Sequence, residues 1–221
     1  MEHRAQVVVA VRSDGGGYTK HAVETMIDEV AAVRKQDPVE FRLELLSKQP
    51  RAQAVIREAA KMAGWGGKRP AGRVLGMAYS DMWETHIAEV VEISLDRKSG
   101  AIKVHSVWAA VDTGVAVLPG NVATQVEGGI VWGISSALKE QITFKDGVPE
   151  QSNFHDYPVL RMNETPAIQV KVMVTDNPPG GVGECGLPPV APAIANAVAR
   201  LTGKRLRHLP FNPERVKEAL A

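Results

Sequence analysis

Apolar residues recur at a helical period through Lys20 to Arg34, where Ala22, Val23, Met26, Ile27, Val30 and Ala31 share one face. That spacing predicts a helix with the stripe turned towards the core. Before it, Val7 to Val11 is an unbroken apolar run that reads as a buried strand, followed by the glycine loop Gly15-Gly16-Gly17. Asp37-Pro38-Val39-Glu40 starts a second helix, with aspartate as cap, proline in the first turn and glutamate placed for a capping box. A third helix, about Arg51 to Ala63, ends at Gly64, which supplies a left-handed cap.

Then the period shortens. Segments around Val74–Tyr79, Ile87–Leu95 and Ile102–Val111 read as strands, with Arg97-Lys98-Ser99-Gly100 as a hairpin turn. Asn121–Leu138 reads as a helix carrying Gly128 and Gly129 in its middle. Each glycine there costs about 1 kcal/mol relative to alanine, so something is expected to approach the backbone closely. A second hairpin is expected around Lys145-Asp146-Gly147, and Ile168–Val174 reads as a strand. The last long helix, Pro189 to Thr202, shows a stripe of Val190, Ile194, Ala197, Val198 and Leu201 and closes at Gly203. Helices and antiparallel hairpins in this order favour an α+β fold with mixed sheets and packed helices over a doubly wound sheet.

Composition narrows the function classes. The chain has 221 residues, 44% of them hydrophobic and 23% charged, with a net charge of +1. It reads as one region over 1–221, divisible into a helical stretch over residues 1–70 and an α+β stretch over residues 71–221. The balance of charge gives no bulk attraction to nucleic acid or anionic membrane. The basic run Lys204-Arg205-Leu206-Arg207 reads as a solvated edge. A single cysteine, Cys185, excludes an intrachain disulfide and a cysteine-rich metal or iron–sulfur site. The six histidines show no paired metal-ligand spacing and read as surface or satisfied groups. No apolar run reaches the roughly 18 residues of a membrane helix. The start is too short in apolar residues for a secretory leader. A soluble chain is expected, cytoplasmic or periplasmic, and one that opens on a core strand reads as a fragment or a subunit.

The segment "DNPPGGVGECG", Asp176 to Gly186, poses the central question. Its Gly181-x-Gly183-x-x-Gly186 spacing matches the dinucleotide fingerprint. That reading requires a strand running into the first glycine, a helix opening within the motif, and an acid about 20 residues on. Here Asp-Asn-Pro-Pro precedes the glycines, Pro188 and Pro189 follow them, and no acid lies between Glu184 and Glu214. The alternative places one carboxylate, Glu184, in a glycine-lined loop just ahead of a helix whose positive end favours an anion. With apolar Val182, Leu187 and Val190 beside it, Glu184 reads either as a positioned general base or as a cap of its own helix.

The longer run "PPGGVGECGLPPVAPAIANAVARLTGKRLRHLPF" resembles the end of the molybdenum hydroxylases, the xanthine dehydrogenase/aldehyde oxidase family. The likeness is greatest to isoquinoline 1-oxidoreductase-like beta subunits. "VDTGVAVLPGNVATQVEGGIVWGISSAL", "EQSNFHDYPVLRMNETP" and "VRSDGGGYTKHAVETMIDEVAAVRKQDPVEFRLELL" resemble further stretches of that family, in its order and over nearly the whole chain.

The resemblance implies a C-terminal molybdopterin-binding region with an aldehyde oxidase-like fold. It implies hydroxylation of aldehydes or N-heteroaromatics with oxygen derived from water. It makes Glu184 the catalytic base. Gln125, Gly128, Gly129 and Gly183 become contacts to the molybdopterin, in its plain or its cytosine dinucleotide form. Arg12 becomes a candidate for the substrate pocket. No residue is implied to ligate the metal directly. The Met-Gly-Gln-Gly and Gly-Gly-Phe-Gly loops that grip the pterin in relatives do not occur here, nor do iron–sulfur cysteine patterns. The expected partners are therefore the remaining molybdopterin-binding portion and a [2Fe–2S] subunit. The competing readings are a catalytically silent assembly module of the same fold and a nucleotide-binding module.

Overall fold

The computed structural model describes residues 13–221, so the strand expected at Val7 to Val11 lies outside the described residues. The elements run α1 (Gly16–Val33), α2 (Pro38–Leu45), α3 (Pro50–Met62), β1 (Arg73–Met82), β2 (Thr85–Leu95), β3 (Ile102–Asp112), α4 (Pro119–Leu138), β4 (Phe144–Lys145), β5 (Val148–Pro149), β6 (Ala167–Val172), α5 (Val190–Thr202) and α6 (Pro213–Leu220). The main sheet has the order β1-β2-β3-β6. Its first three strands meander antiparallel, and β6 returns parallel to β3 after the α4 crossover. The fold is α+β with a mixed sheet.

Helices cover both faces of that sheet. Ala88 and Val90 of β2 join Val55, Ile56 and Ala59 of α3 and Val39 and Leu43 of α2 in one core. Their strand neighbours Ile87, Val91 and Ile93 join Val126 and Ile130 of α4 and Ile194 and Val198 of α5 in the other. The alternation follows from the two-residue period of a strand. Where α5 crosses β1, a Cβ on Gly76 would stand 2.1 Å from the Ala193 carbonyl oxygen, so only glycine admits this approach. Among the described residues, no helix is long and apolar enough to cross a membrane.

Several boundaries follow the local chemistry. The Asp37 carboxylate accepts from the amides of Val39 and Glu40, capping α2 as its sequence predicts. Gly64, Gly100 and Gly203 take positive φ at the expected turns. In contrast, α1 starts at Gly16, earlier than periodicity suggests, because the left-handed Gly15 turns the chain and bare Gly16 fits against Met82 and Pro188.

The burial of α1 overturns its sequence reading. Its inward residues are His21, Glu24, Thr25, Asp28 and Ala31, whereas Val23, Met26 and Val30 face outward. A polar network replaces the expected apolar seam. Arg42 of α2 donates to the Glu24 carboxylate at 2.8 Å, with both side chains at 3% exposure or less. The same carboxylate accepts from the Tyr79 amide at 2.9 Å. Asp28 pairs with Arg205 at 2.6 Å, and Asn196 of α5 donates to the backbone oxygens of Glu24 and Met77. The basic run is thus no solvated edge: Arg205 locks α1, Arg207 pairs with Glu29, and Leu206 is buried. Helix α5 also departs from its predicted stripe, since every residue from Val190 to Ala199 is buried.

Candidate functional site

Three segments converge at one end of the sheet: the turn after β3, the first half of α4, and the loop 176–189 ahead of α5. Asp112 anchors the first. Arg51 of α3 grips its carboxylate with hydrogen bonds of 2.7 and 2.9 Å. The Gly114 amide and Thr175 hydroxyl add donors at 2.8 Å each. Burial alone pushes this carboxyl upward, but the Arg51, Gly114 and Thr175 donors outweigh it and hold it at about 2.

The glycine loop then lies against that turn. Gly180 N–H donates to the Thr113 carbonyl at 2.8 Å, and Val115 N–H to the Asn177 carbonyl at 2.9 Å. From the other side, the β1–β2 turn holds it: Gly181 N–H donates to Trp83 O, and Thr85 Oγ1 to Gly181 O. The helix after this loop begins only at Val190, beyond both prolines, so the motif lacks the helix opening that a dinucleotide site requires.

A cavity of about 370 Å³ opens between these segments, lined by Thr113, Asn121, Gln125, Gly180 and Val182 together with apolar residues 115–118. Gln125 thus lies in the wall of a concavity. Thr113 is a member that sequence reasoning missed. Its Oγ1 is buried without a hydrogen-bond partner, which is unusual for a hydroxyl removed from water. The residue sits inside the Val-Asp-Thr-Gly stretch, and an uncharged donor–acceptor after the anchoring aspartate was the signal available. Two amides and an orphaned hydroxyl suit a polar, largely uncharged ligand edge such as a pterin, so the residues present fit that group.

Glu184 is half-buried and does not line this cavity. The Ser13 amide donates to its Oε1 at 3.1 Å, and the Ser13 hydroxyl to its backbone oxygen at 2.8 Å. Nor does it cap α5, whose N-cap is Pro189 with no side-chain cap bond. Glu184 and Gln125 do not line one cavity, because the start of α1 holds the Glu184 carboxylate. Gly180 and Val182 form the wall that the Glu184 loop contributes.

The glycines divide by role. A Cβ on Gly186 would stand 2.5 Å from the Val126 carbonyl oxygen, and one on Gly129 would stand 3.2 Å from Gly186 Cα. The close approach predicted at Gly129 is thus made by the chain's own loop. Among the described residues, nothing stands within 4 Å of where a Cβ on Gly128 or Gly183 would sit. Arg12 lies outside the described residues. Cys185 is a small buried side chain near Val182 O. Among the described residues, no group of three His, Cys, Asp or Glu side chains could hold a metal ion.

Comparison with known proteins gives a consistent picture. A family model, the molybdopterin cofactor-binding domain, matches residues 15–166. The chain is 42% identical, over 95% of its length, to the isoquinoline 1-oxidoreductase subunit beta of Brevundimonas diminuta, and covers 27% of that protein. It is 33% identical, again over 95% of its length, to the membrane-bound aldehyde dehydrogenase (pyrroloquinoline-quinone) of Gluconacetobacter polyoxogenes, covering 30% of it. The aldehyde oxidoreductase of Desulfovibrio gigas shares the fold over 96% of this chain and 41% of its own, with a TM-score of 0.74 at 15% identity. The chain thus spans less than a third of the length of the two curated relatives.

Proposed function

We propose a function for a chain that belongs to the molybdopterin cofactor-binding domain family: it supplies one wall of the cofactor site and a proton-handling carboxylate to a molybdenum-dependent hydroxylase. Its substrates are aldehydes or N-heteroaromatics, the classes named for the two curated relatives. The observation that carries this reading is the cavity where the Gln125 amide and the orphaned Thr113 hydroxyl meet the loop that bears Glu184.

When bound, the molybdenum–pterin group, in its plain or its cytosine dinucleotide form, supplies the redox centre that accepts two electrons from the substrate. Gln125, Asn121 and Thr113 offer it uncharged donors and acceptors, with Gly128 and Gly183 leaving room beside them. Glu184 acts through Oε2. Its Oε1 is steadied by the Ser13 amide, so one oxygen orients the carboxylate and the other takes the proton. The remaining molybdopterin-binding portion and a [2Fe–2S] subunit complete the enzyme. Arg12 stays a candidate for the substrate pocket.

The test is Glu184→Gln in the assembled enzyme. Loss of a positioned base at fixed geometry lowers turnover by roughly 10²–10⁴-fold. Unchanged turnover supports the second reading, a silent assembly module, which the absence of Glu184 from the Gln125 cavity favours.

A further inference from the structure

We propose that the outward face of α1 is a docking surface for the rest of a longer molybdopterin-binding subunit. This rests on the functional reading above, and it names the surface that reading requires. Tyr18 (58% exposed), Val23 (51%), Met26 (55%), Val30 (39%) and Val33 (79%) all project from this helix. At 100° per residue they fall within an arc of about 140°, a width typical of a face that packs against another element. The opposite face is committed to the Glu24–Arg42 and Asp28–Arg205 network, so α1 cannot rotate to bury the apolar one.

The charges at this face are internally compensated. Lys20 and Arg34, which flank the arc, pair with Asp81 at 2.6 Å and Glu44 at 3.7 Å, and Glu29, which falls within it beside Tyr18, pairs with Arg207 at 2.5 Å. An apolar face whose charges are already neutralised selects an apolar, uncharged counterpart. Exposed apolar patches of this kind mark interaction sites.

Two observations identify the occupant as polypeptide of the same subunit. The curated relatives carry about 70% of their length outside the matched span, since the chain covers 27% and 30% of them. The Desulfovibrio gigas chain is likewise longer than this fold, the match covering 41% of it. The face is also continuous with the site. Gly16, at the start of α1, packs on Pro188, and Ser13 just ahead of it holds Glu184. A body seated on α1 therefore lies beside the loop that must meet the cofactor.

The experiment compares the double variant Met26→Glu/Val30→Glu in two settings. One is the 221-residue chain itself. The other is the Brevundimonas diminuta beta subunit with this chain in place of its matching segment. In the isolated chain, light scattering should report a monomer. The variant should leave its unfolding midpoint unchanged and should cut binding of a hydrophobic dye several-fold. In the chimera, the same variant should lower the midpoint by roughly 5–10 °C, while the exposed change Lys48→Glu does nothing.

A dimer that the variant splits would assign the face to a second copy and overturn the proposal. So would destabilisation of the isolated chain, which would mean that other residues of the same chain already cover the face. Unchanged dye binding, or an unaffected chimera, overturns it equally. None of these readouts depends on turnover, so a failure here is distinguishable from a failure of Glu184→Gln.

Discussion

Helices α1 and α5 pack against each other yet obey opposite rules. Helix α5 is buried from Val190 to Ala199 and sits on the sheet so closely that Gly76 must lack a side chain. Helix α1 turns carboxylates inward and leaves its valines and methionine in solvent. The lesson is that a hydrophobic stripe reports a helix wherever it occurs, but points to the core only when the partner surface lies in the same stretch of chain. For α1 the internal contact is polar and specific, and the apolar contact lies elsewhere.

The contrast can be attacked from either helix. The largest effect is expected at the polar seam. Arg42→Met leaves Glu24 without its cation in a buried site, while Asp28 keeps Arg205, and removal of one member of such a pair costs about 3–5 kcal/mol. Denaturant unfolding of the full chain measures it, and a loss below about 1 kcal/mol would mean the network is dispensable. Next comes the apolar seat of α5. Gly76→Ala forces a methyl into the Ala193 and Ala197 backbone, with an expected loss of about 1–3 kcal/mol. An unchanged midpoint would mean that α5 sits further from β1.

The third test is a pH slope. Glu89 lies on the sheet face that α5 covers, with both carboxyl oxygens buried and without hydrogen-bond partners. Burial raises its carboxyl well above the usual range. The folded state therefore binds this proton more tightly than the unfolded one. Its contribution is intact below the ordinary carboxylate value and is lost as pH climbs towards the raised one. Stability should fall by at most about 1.4 kcal/mol per pH unit in that window, and Glu89→Gln should flatten the decline. Parallel profiles for the two proteins would show that Glu89 does not titrate there.

Much of the fold was legible because local chemistry decided it. The Asp37 cap, the Gly100 and Gly203 turns and the Asp146-Gly147 hairpin needed no tertiary information. The parallel return of β6 was less visible, since a strand, a helix and a strand can pair in either sense until the sheet edge is known. At the site, Gln125 was singled out through the family resemblance, whereas Thr113 was not, because an unpartnered hydroxyl is a property of the folded surroundings. Gly129 was singled out for the right reason and the wrong neighbour: the backbone that approaches it belongs to Gly186. The bearing of Glu184 was hidden for a similar cause. Its hydrogen-bond partner, Ser13, lies 171 positions away in sequence.

That long-range clasp has a consequence for timing. The amide that steadies the Glu184 carboxylate belongs to the residue that leads into α1. Anything that seats or unseats this helix therefore also tightens or slackens the reins on the acid, and under the proposed roles the chemistry would wait upon assembly.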